Sequence, residues 1–273
     1  MKAAADALPP FLYGTAWKED ATERLVSLAL ENGFRGVDTA NQRKHYFEAG
    51  VGAAIAKSGI AREELFLQTK FTYRDGQDHR LPYDPKASIG TQVEQSFASS
   101  LEHLQVERID SYVLHGPSRR RGLGAEDREA WAAMESLHSS GRTRHLGISN
   151  VMLDQLEELL TIAKVRPAFV QNRCYAQTGW DYHVRAFCRA NGIVYQGFSL
   201  LTANLAELRT ARFREIVART RRTPAQLVFR FAMQIGMLPL TGTTDPDHMR
   251  EDLAALDFTL SEDDMNAIER IGV

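Results

Sequence analysis

Four residues in the first half of the chain carry side chains that together could move a proton: Asp38, Tyr46, Lys70 and His115. Three of them follow runs that alternate like strands, FRGV before Asp38, ELFLQT before Lys70 and RIDSYVL before His115, and Tyr46 sits in the loop just beyond Asp38. A phenol with an ordinary pKa near 10 is a poor acid or base at neutral pH unless its neighbours tune it. A lysine ammonium beside Tyr46 would favour phenolate, Asp38 would hold that lysine charged and in place, and His115 could orient a carbonyl or alcohol by hydrogen bonding. Taken singly, an Asp after a strand is more often a helix cap or a loop hydrogen-bonder. The chemistry therefore requires a fold that gathers these strand ends on one rim.

The rest of the chain supplies such a fold. Apolar periodicity and Gly/Pro punctuation predict strands at 10–13, 34–37, 65–69, 108–114, 144–148, 167–170, 193–198 and 237–241. Helices are predicted at 19–32, on to about 58 after Tyr46, then at 86–103, 126–139, 151–164, 182–190, 213–219 and 225–236. Ser149 or Asn150 is positioned to cap the 151–164 helix, and Thr223-Pro224 reads as an N-cap followed by proline at the first helical position. Two short helices from Pro246 and Ser261 finish the chain. Eight strand-then-helix units in about 240 residues indicate an α/β fold, a (β/α)8 TIM barrel formed as one domain over 1–273 with a short extra C-terminal helix. The first strand-to-helix turn lacks Gly-x-Gly-x-x-Gly, which argues against a Rossmann nucleotide site. The long 73–85 loop is either a lid or a substrate-facing excursion, and SRRRGLG at 118–124 reads as a solvated loop.

Composition narrows the partners. With 273 residues, 44% hydrophobic, and a formal charge of -2, the chain has no basic surface of the kind nucleic acid or an anionic membrane demands. Nor does it contain the roughly 18 consecutive apolar residues of a membrane span, or a secretory leader in MKAAADALPP. Two isolated cysteines, Cys174 and Cys188, suit a reducing compartment, and the expected location is cytoplasmic. The histidines show no His-x-His or other metal-ligand spacing, so a metal-dependent hydrolase on a similar barrel is set aside and no metal site is expected. Just beyond strand ends, Trp17, Phe71, Tyr73, Pro117 and Trp180 are candidate walls of a substrate pocket.

In combination and in this order, GTAW, GFRGVDTA with Tyr46, FLQTKF, YVLHGP, LGISN, VQN and PLTGTT resemble the aldo-keto reductases. The resemblance runs from GTAW to the C-terminal helices. It implies a barrel that binds NADPH, or less often NADH, across its rim and reduces aldehydes or ketones without metal. It implies that Asp38, Tyr46, Lys70 and His115 form the catalytic tetrad, with Tyr46 the proton donor. Ser149, Asn150 and Gln171 match positions that hold the nicotinamide carboxamide, and Phe198 the ring that stacks on it. Ser199 and the segment from Leu201 to Asn204 would lie along the pyrophosphate.

Two departures stand out. Asp38 and Tyr46 are about three residues further apart than in most of that family, so NQRK either bulges outward or reshapes the pocket. Where the family places fixed cations on the adenosine 2'-phosphate, this chain has Gly242, Thr243 and His248, with Thr244 beside them. A helix N-terminus and threonine groups can still bind phosphate, so the expectation is NADPH with weakened discrimination against NADH. The other reading open to such a barrel is a cofactor-binding regulatory subunit with little or no turnover. Oligomeric state is not legible in the sequence.

Overall fold

The computed structural model describes residues 8–272. The leader reading at the amino terminus lies mostly outside them. Eight parallel strands close into a barrel in chain order, β1 Leu12–Gly14, β2 Gly36–Asp38, β3 Phe66–Phe71, β4 Ile109–Leu114, β5 Thr143–Ser149, β6 Phe169–Arg173, β7 Val194–Phe198 and β8 Leu238–Thr241. Around them run α1 Thr22–Glu31, α2 Glu48–Ser58, α3 Ile89–Leu104, α4 Ala125–Ser139, α5 Leu153–Ile162, α6 Tyr182–Ala190, α7 Ala211–Thr220 and α8 Pro224–Gln234. The short helices α9 Pro246–Leu253 and α10 Glu262–Glu269 follow β8. This is the expected (β/α)8 architecture.

Local chemistry explains the element ends. In α1, Leu25, Val26, Ala29 and Leu30 are buried at helical spacing, and Gly33, at φ +106°, turns the chain so that Phe34 N–H reaches the Ala29 carbonyl at 3.0 Å. Thr223 caps α8 as expected: its hydroxyl accepts from Gln226 N–H at 3.2 Å, and the Gln226 amide oxygen accepts from Thr223 N–H at 3.0 Å. Where α2 crosses α3, a side chain at Gly52 would run into the His103 carbonyl. That close approach seats α2 against the end of α3.

One capping expectation fails, for a reason that bears on the site. Neither Ser149 nor Asn150 caps α5. Its N-cap is Met152, whose N–H donates to Gln155 Oε1 at 3.0 Å. Ser149 Oγ instead donates to the Gln171 carbonyl at 2.7 Å, and Asn150, at φ +51°, turns its amide to the His115 carbonyl at 2.8 Å. Both side chains are thereby committed to the barrel rim.

Most of the apolar core lies between the strands and the helices. Leu12, Leu238 and Leu240 form a separate buried cluster with Phe66, Val194 and Phe198, on the alternate positions of their strands that face the barrel interior. On β2, β3 and β6 the same positions become polar toward the rim, with Asp38, with Gln68 and Lys70, and with Gln171, while on β7 Gln196 sits between Val194 and Phe198. Among the described residues no helix is long and apolar enough to cross a membrane, and no group of three or more His, Cys, Asp or Glu is disposed to hold a metal ion.

Candidate active site

Lys70 and Asp38 meet in the barrel interior, both buried. The Lys70 ammonium donates to both Asp38 carboxylate oxygens at 2.7 Å and to the Thr39 carbonyl at 2.8 Å. Those three bonds use all three of its donors. Burial pulls Lys70 below the ordinary lysine range, while Asp38 works in the opposite direction. Gln68 and Gln171 donate to Asp38 Oδ1 at 2.7 and 3.0 Å, and both donate to Gln196 Oε1 at 2.8 and 2.9 Å. Three glutamines from β3, β6 and β7 therefore tether the carboxylate across the width of the barrel.

Tyr46 reaches the same place despite the lengthened loop. The N–H groups of His45 and Tyr46 both donate to the Gln42 carbonyl, at 3.0 and 2.9 Å, so NQRK makes a tight turn. Gln42 Nε2 anchors that turn to the Gly76 carbonyl at 2.6 Å, and the His45 carbonyl accepts from Trp17 N–H at 2.7 Å. The extra residues bulge outward and return Tyr46 to the rim. There its ring centroid lies 5.4 Å from Lys70 Nζ, and its ring meets the His115 ring edge-on at 5.9 Å.

The electrostatics differ from the sequence expectation in one respect. Lys70 has no donor left for the phenol, and burial followed by the nearby Asp38 charge raises Tyr46 above the ordinary tyrosine range. The phenol is thus held protonated, as a donor. Burial, then Lys70 and His45, push His115 down to about 3, so its imidazole is neutral. Its Nδ1 pairs with Thr72 Oγ1 at 2.7 Å, which fixes the ring and leaves Nε2 as its other hydrogen-bonding atom.

Asp38, Tyr46 and His115 line one end of a cleft of about 870 Å³ that runs over the rim toward β7 and β8. Ser149, Asn150, Gln171, Phe198, Ser199, Leu201, Gly242, Thr243, Thr244 and His248 all line it too. Lys70 stands behind Asp38 rather than in the wall. Of the candidate pocket walls, Trp17 lines the cleft and the other three aromatic residues do not. Phe71 is fully buried and packs edge-on against Tyr73, because it continues β3 with its side chain turned to the helices. Tyr73 donates to Asp127 at 2.9 Å, away from the rim. Trp180 is buried against Phe231, its indole N–H on the Ile268 carbonyl at 3.0 Å. Pro117 is likewise outside the cleft wall, and no residue of the 73–85 loop reaches it.

Sequence reasoning missed four charged residues that line the cleft, Lys18, Arg209, Glu251 and Asp252, two of which, Lys18 and Asp252, are buried. Lys18 is only 6% exposed, lines the cleft, and donates to the Gly242 carbonyl at 2.6 Å. Burial pulls it down to about 8. The signal for it was available, since Lys18 follows the end of β1 as Tyr46 follows that of β2. Asp252 is buried in α9, accepts from Thr241 Oγ1 at 2.7 Å and is raised by burial to about 7. Nothing in the sequence separates it from an ordinary helix carboxylate.

The family model for the aldo/keto reductase family matches residues 12–273, nearly the whole chain and every strand of the barrel. The chain belongs to the aldo/keto reductase family. Among its relatives is the glyoxal reductase of Bacillus subtilis, 30% identical over 92% of this chain and 83% of that protein. Another is the 9,11-endoperoxide prostaglandin H2 reductase of Trypanosoma cruzi, 29% identical over 92% and 82%. A solved aldo/keto reductase from Brucella melitensis superposes with a TM-score of 0.83 at 27% identity, covering 97% of this chain and 95% of that one. Aldo/keto reductases are oxidoreductases of carbonyl compounds.

Proposed function

We propose that this protein reduces aldehydes or ketones to alcohols with NADPH or NADH, and that Tyr46 is the proton donor. The observation that carries the reading is a half-buried phenol on the cleft, edge-on to the His115 ring and beside a buried Asp38–Lys70 pair. A carbonyl oxygen seated between Tyr46 and His115 would gather negative charge as its carbon is reduced. Tyr46 gives that oxygen its proton, and His115 orients it by hydrogen bonding. Lys70, held by Asp38, lends positive potential to the phenol without bonding it.

The remainder of the cleft fits a dinucleotide. Ser149, Asn150 and Gln171 offer polar groups next to the reacting end, Phe198 a ring and Lys18 a buried cation. Gly242, Thr243, Thr244 and His248 offer backbone and hydroxyl groups at the other end. When bound, the nicotinamide supplies the hydride. None of those four residues is a lysine or arginine, Glu251 and Asp252 stand beside them, and the cleft's Arg209 lies on the segment after β7, so discrimination between NADPH and NADH is weak in this reading. The partner is a small carbonyl compound. Residues 1–273 act as one unit in the cytoplasm, in keeping with the free, buried thiols of Cys174 and Cys188.

The test is absorbance at 340 nm with each coenzyme against a panel of aldehydes, ketones and dicarbonyls. Oxidation that Tyr46→Phe abolishes is the expected result. Tight coenzyme binding with no turnover across the panel would replace this reading with that of a regulatory subunit.

A further inference from the structure

Trp17 is the most exposed large hydrophobic residue described, at 71%, yet its conformation is tightly specified. Its backbone sits at φ +62°, a conformation unfavourable for a bulky side chain. Its N–H donates to the His45 carbonyl at 2.7 Å, and its indole lies against the His45 imidazole with ring centroids 3.7 Å apart and planes tilted by 38°. One face of the indole is thus covered, while Trp17 lines the cleft. His45 adjoins Tyr46 in sequence and belongs to the lengthened loop. The lengthened loop therefore stands an aromatic plate on the same cleft that Tyr46 lines.

We propose that His45 is a positioning residue that fixes the Trp17 indole as a flat wall of the substrate site, and that this wall selects carbonyl compounds bearing a planar, conjugated group on the carbonyl carbon. An exposed indole left to itself would sample several rotamers, and ordering it on binding would cost affinity. Stacked on His45, it is ordered in advance. A ring attached to a carbonyl at Tyr46 can lie offset on the indole, an arrangement worth about 0.5–1.5 kcal/mol beyond the area it buries. A saturated ring of the same size is puckered and gains less of this.

The inference rests on the carbonyl-reductase reading, and the experiment separates the two. Benzaldehyde and cyclohexanecarbaldehyde, matched in size but differing in planarity, are compared by kcat/KM at saturating coenzyme. His45→Ala should lower the aromatic-to-saturated ratio about two- to twelvefold, through KM for benzaldehyde, the fold-change to which that stacking energy corresponds. His45→Phe, which keeps a ring against Trp17, should restore it. In parallel, the Trp17 contribution to fluorescence anisotropy decay, taken as the difference from Trp17→Phe, should reveal nanosecond mobility in His45→Ala and not in His45→Phe. A ratio that His45→Ala leaves unchanged would overturn the inference while turnover of either aldehyde upheld the reductase reading. Should neither aldehyde be reduced, the reductase reading loses support, and an indole equally rigid in His45→Ala would remove the positioning role independently of turnover.

Discussion

At the β2 to β4 end of the cleft, Asp38 and Lys70 face each other at 2.7 Å inside the barrel, tied down by Thr39 and three glutamines. At the β8 end the contrast is plain. Gly242, Thr244 and His248 are exposed on loop and helix start, and the nearest buried ammonium, Lys18, has a backbone carbonyl rather than a carboxylate as its hydrogen-bond acceptor. One end is complete as folded, and in the proposed reading the other is completed by a coenzyme that arrives charged. A site must be rigid where charge changes during a reaction. Where a constant charge is merely bound, the ligand can supply the missing half of the pair.

This contrast can be broken most severely at Tyr46. Tyr46→Phe should lower turnover by about 10²–10⁴, the usual worth of a positioned general acid, with coenzyme affinity nearly unchanged in a fluorescence titration. Retained turnover would remove Tyr46 from the reaction. Next, Lys70→Met leaves Asp38 buried and unpaired, which should cost about 3–5 kcal/mol in urea unfolding as well as activity. The double variant with Asp38→Asn should recover much of that stability and none of the turnover.

Acid should weaken the reacting end through His115. With its folded pKa near 3 and the unfolded imidazole at its ordinary value, the unfolded chain binds the extra proton between those limits. Stability should therefore fall as pH drops through this window, and less so in His115→Asn when urea midpoints are compared. For the other end, Lys18→Met should weaken coenzyme binding roughly tenfold at pH 7, the worth of one charge-assisted hydrogen bond. Wild-type affinity should decline toward that of the variant as pH rises through about 8. The unliganded protein should do the opposite, gaining stability between about 8 and the ordinary lysine value, because there the unfolded state binds the proton that the folded state has shed. The smallest effect expected is the coenzyme preference itself, with NADPH and NADH dissociation constants within about tenfold of each other.

What the sequence disclosed follows the same division. Strand ends are legible because alternation and punctuation locate them, and a closed barrel then leaves little choice about which residues meet, so Asp38, Lys70 and His115 could be brought together from spacing alone. Tyr46 depended on how NQRK turns, which rests on Gln42 binding Gly76, a contact between loops that no local pattern announces. The aromatic walls were misjudged for a related reason. Phe71, Tyr73 and Trp180 lie near strand ends, but whether such a side chain faces the rim or the helices depends on where the strand stops, and β3 runs two residues beyond the predicted end. The pairing of Lys70 with three acceptors, which leaves it no donor for the phenol, is a matter of hydrogen-bond counting and not of sequence.

The closure of the barrel has one more consequence. β8 joins β1 through Leu12 with Leu240 and Tyr13 with Thr241, and joins β7 through Gln196 with Leu238 and Gly197 with Pro239. Proline contributes no N–H to that ladder. Two side chains cross the seam from the β1 side, Lys18 to the Gly242 carbonyl and Tyr13 to the Thr243 carbonyl at 2.9 Å. The last stave of the barrel is thus fastened partly by Lys18, which also lines the cleft. A ligand gripping both sides would work as a clasp, slowing amide exchange in β8 and resisting proteolytic nicking there, and the empty barrel would come apart at that seam first.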